Sequence, residues 1–392
     1  MISLAEAIQH VRASVPRFGT ETVSLRDAFG RVLAEPVAAR RTQPPFAASA
    51  MDGYAVRSSD LAGDRPQFRL AGESAAGHGS AHVLAAGEAM RISTGAPMPA
   101  GADQVVIQEN SKFDGEHLFL SDTARPGANV RAAGIDFREG QRLLDAGQRL
   151  TPERISLAAS GGFDALMMAK RPRVAILSTG DELVEPGGQT GPDQIINSLA
   201  PALEGLVLAW GGVPTYLGIA RDTRADVEAR LDAAREFDLL VTIGGASVGD
   251  HDHLRPAFDA LGGRMVFEKI AAKPGKPTWF GWLDDCWCVG LPGNPVSALV
   301  MARLILKTAL DAALGRADAL VFETVTAGSD LPGNGSRETF IRAVERAGQV
   351  RPLDNQDSSA LFALVASNCL IRRPAQAGPV RSGEAVDILR IA

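Results

Sequence analysis

The sequence predicts a multidomain α/β plus β protein on three observations: its length, a strand–helix rhythm after Pro172, and turn-rich, short-strand stretches on either side of that rhythm. At 392 residues the chain exceeds what one hydrophobic core usually organises. Its 45% hydrophobic and 22% charged residues are ordinary for globular chains and supply material for several cores.

The elements follow in order. Ser3-Leu4-Ala5-Glu6 reads as a capping box, and Leu4, Ile8 and Val11 recur at helical spacing, so an amphipathic helix opens the chain and yields to Pro16. From Val23 to about Leu143, short apolar runs separated by Gly, Pro and Asp read as strands and turns. Thr151-Pro152-Glu153 starts a helix with proline at its first position, and Gly161-Gly162 stops it. Strands and helices then alternate over Val174–Ser178, Leu199–Trp210, Thr215–Ala220, Ala225–Arg235, Leu239–Ile243, Met265–Ala271, Val289–Leu291 and Val296–Leu310. That alternation is the pattern of a doubly wound parallel sheet. From about Asp318 short strands return, with Arg337–Val344 and Gly383–Ile391 as the clearest.

A net charge of −6 gives no general attraction to polyphosphate backbones, which removes nucleic acid as an expected partner but leaves room for a local basic pocket. The three cysteines, Cys286, Cys288 and Cys369, cannot all pair and have no zinc-site spacing, so a reducing compartment is expected. Cys286 and Cys288 fall in an apolar strand and read as small core residues. Met1 to Val15 lacks signal-peptide organisation, and no apolar stretch suffices for a membrane span. The expected location is cytoplasmic.

Chemistry concentrates in loops after the strands, the edge where open α/β sheets bind ligands. Thr179-Gly180-Asp181-Glu182-Leu183 places two adjacent carboxylates there, whose repulsion needs a cation or hydrogen-bond donors to offset it. Magnesium is the functional reading; a helix cap plus a solvated carboxylate is the other. Asp222 reads as the cap of the helix near Ala225. Gly244–Gly249 can bring backbone amides close to a phosphate. It lacks the Walker lysine and the Rossmann fingerprint, which argues against ATP hydrolysis by the usual machine and against NAD. Of Asp250-His251-Asp252-His253 the carboxylates are the better ligand candidates, the histidines reading as solvated or capping. Lys273-Pro274-Gly275-Lys276-Pro277 fixes two ammonium groups on a stiff turn suited to an anion. Leu291-Pro292-Gly293-Asn294-Pro295-Val296-Ser297 turns from strand into helix with proline first and free amides behind it, a phosphate seat. Met51-Asp52-Gly53-Tyr54-Ala55 and Ser93-Thr94-Gly95-Ala96-Pro97 are tight turns that decide nothing alone.

In this order, the six segments around Asp52, Thr94, Asp181-Glu182, Gly244–Gly249, Lys273-Lys276 and Pro292–Ser297 resemble the motif set of the MoeA family, which includes the gephyrin E domain. The likeness spans essentially the whole chain. It implies a MogA-like doubly wound α/β domain, an inserted β domain and a C-terminal β barrel. The implied division is 1–44 with 140–171, 45–139, 172–317 and 318–392. The implied activity is insertion of molybdate into adenylylated molybdopterin with release of AMP, a transferase reaction giving molybdenum cofactor.

Carried onto this chain, the resemblance makes Asp52, Thr94, Glu182, Asp222, Asp252, Lys273 and Lys276 the catalytic candidates. Glu182 and Asp252 would hold Mg2+. Substrate would be bound by Thr179, Gly180, Asp181, Gly244, Gly245, Ser247, Gly249, Pro292, Gly293, Asn294, Pro295 and Ser297, with Arg131 and Asp136 assisting. A homodimer with an inter-subunit site is implied, so Asp52 and Thr94 would act on the other copy. A MogA-type adenylyltransferase and molybdoenzyme-specific acceptors are the implied partners. Two departures from the family pattern are Ala246, where valine is usual, and Gln356-Asp357-Ser358-Ser359, which lacks a common Gly-Ser-His. The alternatives are a MogA-type molybdopterin adenylyltransferase, disfavoured by the flanking 171 residues, and a non-catalytic scaffold on the same fold.

Overall fold

The computed structural model describes residues 1–62, 66–245, 253–316 and 320–391. Helix α1 (Leu4–Ser14) opens on the capping box: Ser3 Oγ accepts the Glu6 N–H at 3.2 Å, and the Glu6 carboxylate accepts the Ser3 N–H at 2.7 Å. These bonds satisfy donors that a helix start leaves unpaired. Its apolar face, Leu4, Ala7 and Val11, is buried against the core of the α/β unit far along the chain.

Residues 20–24 pair antiparallel with 165–169, Thr20 opposite Ala169, so the chain returns to one small core built on Val23, Leu33, Leu144, Leu166 and Met168. Helix α2 (Pro152–Ser160) covers it, capped by Thr151 Oγ1, which accepts the Arg154 N–H at 3.4 Å. Between these segments lies a six-stranded sheet in the spatial order Gln104–Ile107, Gly53–Val56, Glu88–Ile92, Gln67–Ser74, Leu118–Leu120, Ser111–Phe113.

The α/β unit carries β1 (Arg173–Thr179), α3 (Leu199–Ala209), β2 (Val213–Ala220), α4 (Arg224–Ala233), β3 (Leu239–Ile243), α5 (Leu254–Ala260), β4 (Arg264–Phe267), β5 (Trp279–Leu283) and β6 (Cys286–Leu291). The sheet order is β2-β1-β3-β6-β5-β4. Strands β2, β1, β3 and β6 are parallel, and β5 and β4 extend the sheet antiparallel. The central strands alternate between two buried faces. Val174, Ile176 and Val241 pack toward α3 and the helices after β6, while Ala175, Leu177 and Leu240 pack toward α4 and α5. Each fully buried Val, Leu or Ile contributes roughly 1.5–3 kcal/mol, so strands covered on both sides are held firmly. From β1 the chain crosses to β2 on one side, and from β2 to β3 on the other. That reversal opens a crevice at the carboxyl ends of β1 and β3.

The strand expected over Met265–Ala271 stops at Phe267. Beyond it the backbone pairs elsewhere, with Ile2 N–H donating to Lys269 O at 3.1 Å and Ala271 N–H to Ile2 O at 2.7 Å. Those local partners replace the ladder. Strand β5 was not read from the sequence, because its Trp-Phe-Gly-Trp-Leu run shows no alternation. The helical run after β6 continues from α6 (Pro295–Met301) through a π segment, Ala302–Leu306, into α7 (Lys307–Ala313).

The C-terminal strands are β7 (Glu323–Ala327), β8 (Glu338–Arg346), β9 (Gln349–Pro352), β10 (Cys369–Arg373) and β11 (Ala385–Arg390). They run β8-β9-β7-β11-β10, and β10 pairs back with β8, closing a barrel. The short helix α8 (Leu361–Val365) lies between β9 and β10. No helix among the described residues is long and apolar enough to cross a membrane.

Candidate active site

Three neighbouring parallel strands deliver three loops to one edge. Strand β1 ends at Thr179, β3 at Ile243 and β6 at Leu291. Backbone and hydroxyl bonds stitch the loops together: Thr179 Oγ1 donates to Ile243 O at 3.3 Å, and Gly244 N–H to Leu291 O at 3.1 Å. A Cβ on Gly244 would meet Thr179 O at 2.8 Å, and the residue sits at φ +86, so both space and backbone conformation demand glycine. The loops enclose a cleft of about 760 Å³, within the usual range of small-molecule sites.

Ten of the expected residues line it: Thr179, Gly180, Glu182, Asp222, Gly244, Gly245, Pro292, Gly293, Asn294 and Pro295. Glu182 is exposed, and its carboxylate fills the space beside Gly180, where an added Cβ would come within 2.3 Å of it. Asp181 borders this group. Its Oδ1 accepts the Asp222 N–H at 3.0 Å, and Asp222 Oδ2 accepts the Asp181 N–H at 3.4 Å. Asp222 therefore does not cap α4. Thr223 does so, its side chain accepting the Asp226 N–H, because it stands one residue nearer the first helical turn.

The free amides expected behind Pro295 are fewer than the sequence suggested. Proline has no N–H, and the Val296 N–H is bonded to Ser358 O at 3.0 Å. Ser297 is buried on α6. Lys273 and Lys276 are both exposed on a turn closed by Thr278, whose N–H and hydroxyl donate to Gly275 O at 3.1 and 2.8 Å. Gly275, at φ +108, packs against Met301 of α6, and Pro277 reaches the cleft wall, so the lysine turn flanks the site. Ser247, Gly249 and Asp252, with Ala246, lie outside the described residues.

Asp52, Thr94, Arg131 and Asp136 belong to the segment carrying the six-stranded sheet, and none lines this chain's cleft. Asp52 Oδ1 accepts both the N–H and the hydroxyl of Thr94, at 2.6 and 3.0 Å, which holds the Asp52 carboxyl below its ordinary value. The Asp-Gly pair has a backbone cause: a Cβ on Gly53 would fall 2.0 Å from Val106 O on the adjoining strand. Arg131 is exposed and pairs with Ala48 across a short ladder, while the Asp136 N–H donates to Gln43 O at 3.2 Å.

Sequence reading missed the opposite wall. Leu183, Ile195, Ile196 and Asn197 line the cleft, with Ile195 59% exposed. Buried Asn197 donates to Ser178 Oγ at 3.0 Å and to Tyr216 Oη at 2.8 Å, and Tyr216 donates to Glu185 at 2.8 Å. Burial, followed by donation to Glu185, pushes the Tyr216 phenol up to about 12. An isoleucine pair and a polar pair just before an apolar helix were the available signals. Ser359 of the C-terminal region also lines the cleft, as does His253 at the start of α5. The three cysteines are free and buried, and burial raises the Cys288 thiol well above its ordinary value.

Comparison with known proteins agrees with this fold. Residues 2–162 match the MoeA N-terminal region (domain I and II), 175–312 a probable molybdopterin binding domain and 324–391 the MoeA C-terminal region (domain IV). The molybdopterin molybdenumtransferase of Haemophilus influenzae is 35% identical over 99% of this chain and 98% of its own. The chain belongs to the MoeA family. The corresponding protein of Nostoc sp. is 33% identical over 95% of this chain and 89% of its own. Among solved structures, the molybdopterin biosynthesis MoeA protein of Pyrococcus horikoshii OT3 matches with a TM-score of 0.86 and 27% identity, covering 100% of both chains. The MoeA fold thus accounts for the mixed α/β unit and the closed barrel together.

Proposed function

We propose that this chain is a molybdopterin molybdenumtransferase that inserts molybdate into adenylylated molybdopterin, releasing AMP. The observation that carries the reading is the convergence of glycine-bearing loops, carboxylates and a lysine turn on one crevice within the segment matching a molybdopterin binding domain. The substrate is polyanionic. The backbone amide at Gly245, with the Lys273 and Lys276 ammonium groups at the rim, suits its phosphates or the molybdate oxyanion. The apolar wall of Leu183, Ile195 and Ile196 suits the flat pterin.

Magnesium belongs to the same proposal. Among the described residues no three Asp, Glu, His or Cys side chains are grouped for a metal. Magnesium, however, is ordinarily held by one or two carboxylates together with substrate phosphates, and Glu182 and Asp222 on the cleft wall offer that donor set. These two would hold the ion, which offsets phosphate charge when bound; Asp252, the other expected ligand, lies outside the described residues.

The division at 1–44 with 140–171, 45–139, 172–317 and 318–392 is part of the reading, as is a homodimer in which Asp52 and Thr94 complete the partner's cleft. Cytoplasmic location, supply of substrate by a MogA-type adenylyltransferase and delivery to acceptor enzymes complete it. Two incubations test the activity: molybdopterin with ATP, and preformed adenylylated molybdopterin with molybdate. AMP and molybdenum cofactor from the second mixture are expected. Adenylylation in the first without turnover in the second assigns the preceding step instead, and inactivity in both leaves a scaffold.

A further inference from the structure

The C-terminal barrel reaches the cleft through a strap, residues 353–359, and the Gln356 side chain makes three of the bonds that hold it to β8 and to its own start. The carboxamide of Gln356 lies against the edge of β8 and uses both ends. Its Oε1 accepts the Arg342 N–H at 3.0 Å, while its Nε2 donates to Arg342 O at 2.9 Å and Leu353 O at 2.7 Å. It thereby extends the β8–β9 pairing, in which the Leu353 N–H also donates to Arg342 O at 2.9 Å, by engaging both backbone groups of Arg342. The buried Arg342 guanidinium adds a bond to Asn355 O at 3.0 Å. Asp357 shapes the following turn, accepting the N–H and hydroxyl of Ser359 at 2.8 and 2.6 Å.

The far end of the strap meets α6. Asn294 stands at that helix's N-cap, yet its side chain makes no capping bond. Its Nδ2 donates instead to Ser358 Oγ at 3.1 Å, and the Val296 N–H, the helix's first available donor, goes to Ser358 O at 3.0 Å. The barrel segment therefore supplies the cap that the α/β unit lacks, at the helix whose first residue walls the cleft. Ser359 continues the same wall.

We propose that Gln356 is a positioning residue for substrate binding: by fixing the strap to β8 it holds the start of α6 and the Ser359 side of the cleft in register. The identity of that substrate rests on the molybdenum-transfer reading. Gln356 lies outside the reacting loops, so it acts on binding and not on the chemical step. The test compares Gln356→Ala and Gln356→Glu with the unaltered enzyme. The glutamate has the same shape, but its carboxylate cannot donate to the two carbonyls.

Both variants are expected to remain folded and to exchange the Val296 amide hydrogen at least about tenfold faster. Both should raise KM for adenylylated molybdopterin roughly tenfold, with kcat within about twofold. Unchanged exchange at Val296 overturns the proposal, as does a fall in kcat at constant KM, or a glutamate variant that behaves like the unaltered enzyme. Should the unaltered protein release no AMP, the functional reading fails, while exchange at Val296 still decides whether Gln356 pins the strap.

Discussion

Asp181 and Asp222 hold each other through their backbones, each carboxylate accepting the other's N–H, at 3.0 and 3.4 Å. The bonds tie the loop after β1 to the loop after β2 and leave the second Asp222 oxygen available to the cleft. Substituting Asp222→Asn keeps an acceptor oxygen but removes the charge. Its melting temperature is expected to stay unchanged while kcat/KM falls roughly 10–100-fold. Loss of folding with intact kinetics in the surviving protein would assign Asp222 to structure alone.

Glu182 is exposed, so Glu182→Gln should fold and melt normally while turnover drops about a hundredfold or more. Steady-state AMP release measures it. Gly180→Ala provides the backbone counterpart: at φ +140 a side chain is strained, and the new methyl group displaces the Glu182 carboxylate beside it, so stability and activity should fall together.

The Thr94 bonds lower the Asp52 pKa, so the ionised form is favoured on folding. The sign follows: this contribution is complete above the ordinary value of 3.8 and is lost as pH falls through the depressed folded value. Thr94→Val removes the hydroxyl bond and keeps the amide bond. A carboxyl NMR titration should show the Asp52 pKa rising part of the way toward 3.8. An unaltered or lower pKa contradicts the role given to Thr94.

Tyr216 joins the Glu185 side of the cleft wall to Asn197. Tyr216→Phe deletes one hydrogen bond donated and one accepted. Urea unfolding should show a loss of about 1–2 kcal/mol, with faster amide exchange over 183–197. Exchange that changes only elsewhere would remove Tyr216 from that wall.

The doubly wound unit was legible because parallel strands covered on both faces leave uninterrupted apolar runs, as at Leu239–Ile243, and because polar loops follow them. The site was legible for the same reason: Thr179 ends its strand, and Asp222 and Pro292 follow theirs. Contacts made over long sequence distance left no such trace. The placement of α1 on the α/β core, the bond from Val296 to Ser358, and the link from Asn197 to Tyr216 depend on which surfaces meet. Asp222 was misread as a cap because aspartate and threonine are both good N-caps, and one residue of register decides between them.

The most direct measurement is a crystal structure with adenylylated molybdopterin bound. The pterin and its phosphates are expected in the crevice between the Thr179–Glu182 and Pro292–Pro295 loops, with the lysine turn at its rim. Clear density for the ligand at another surface, with that crevice empty, would contradict the account.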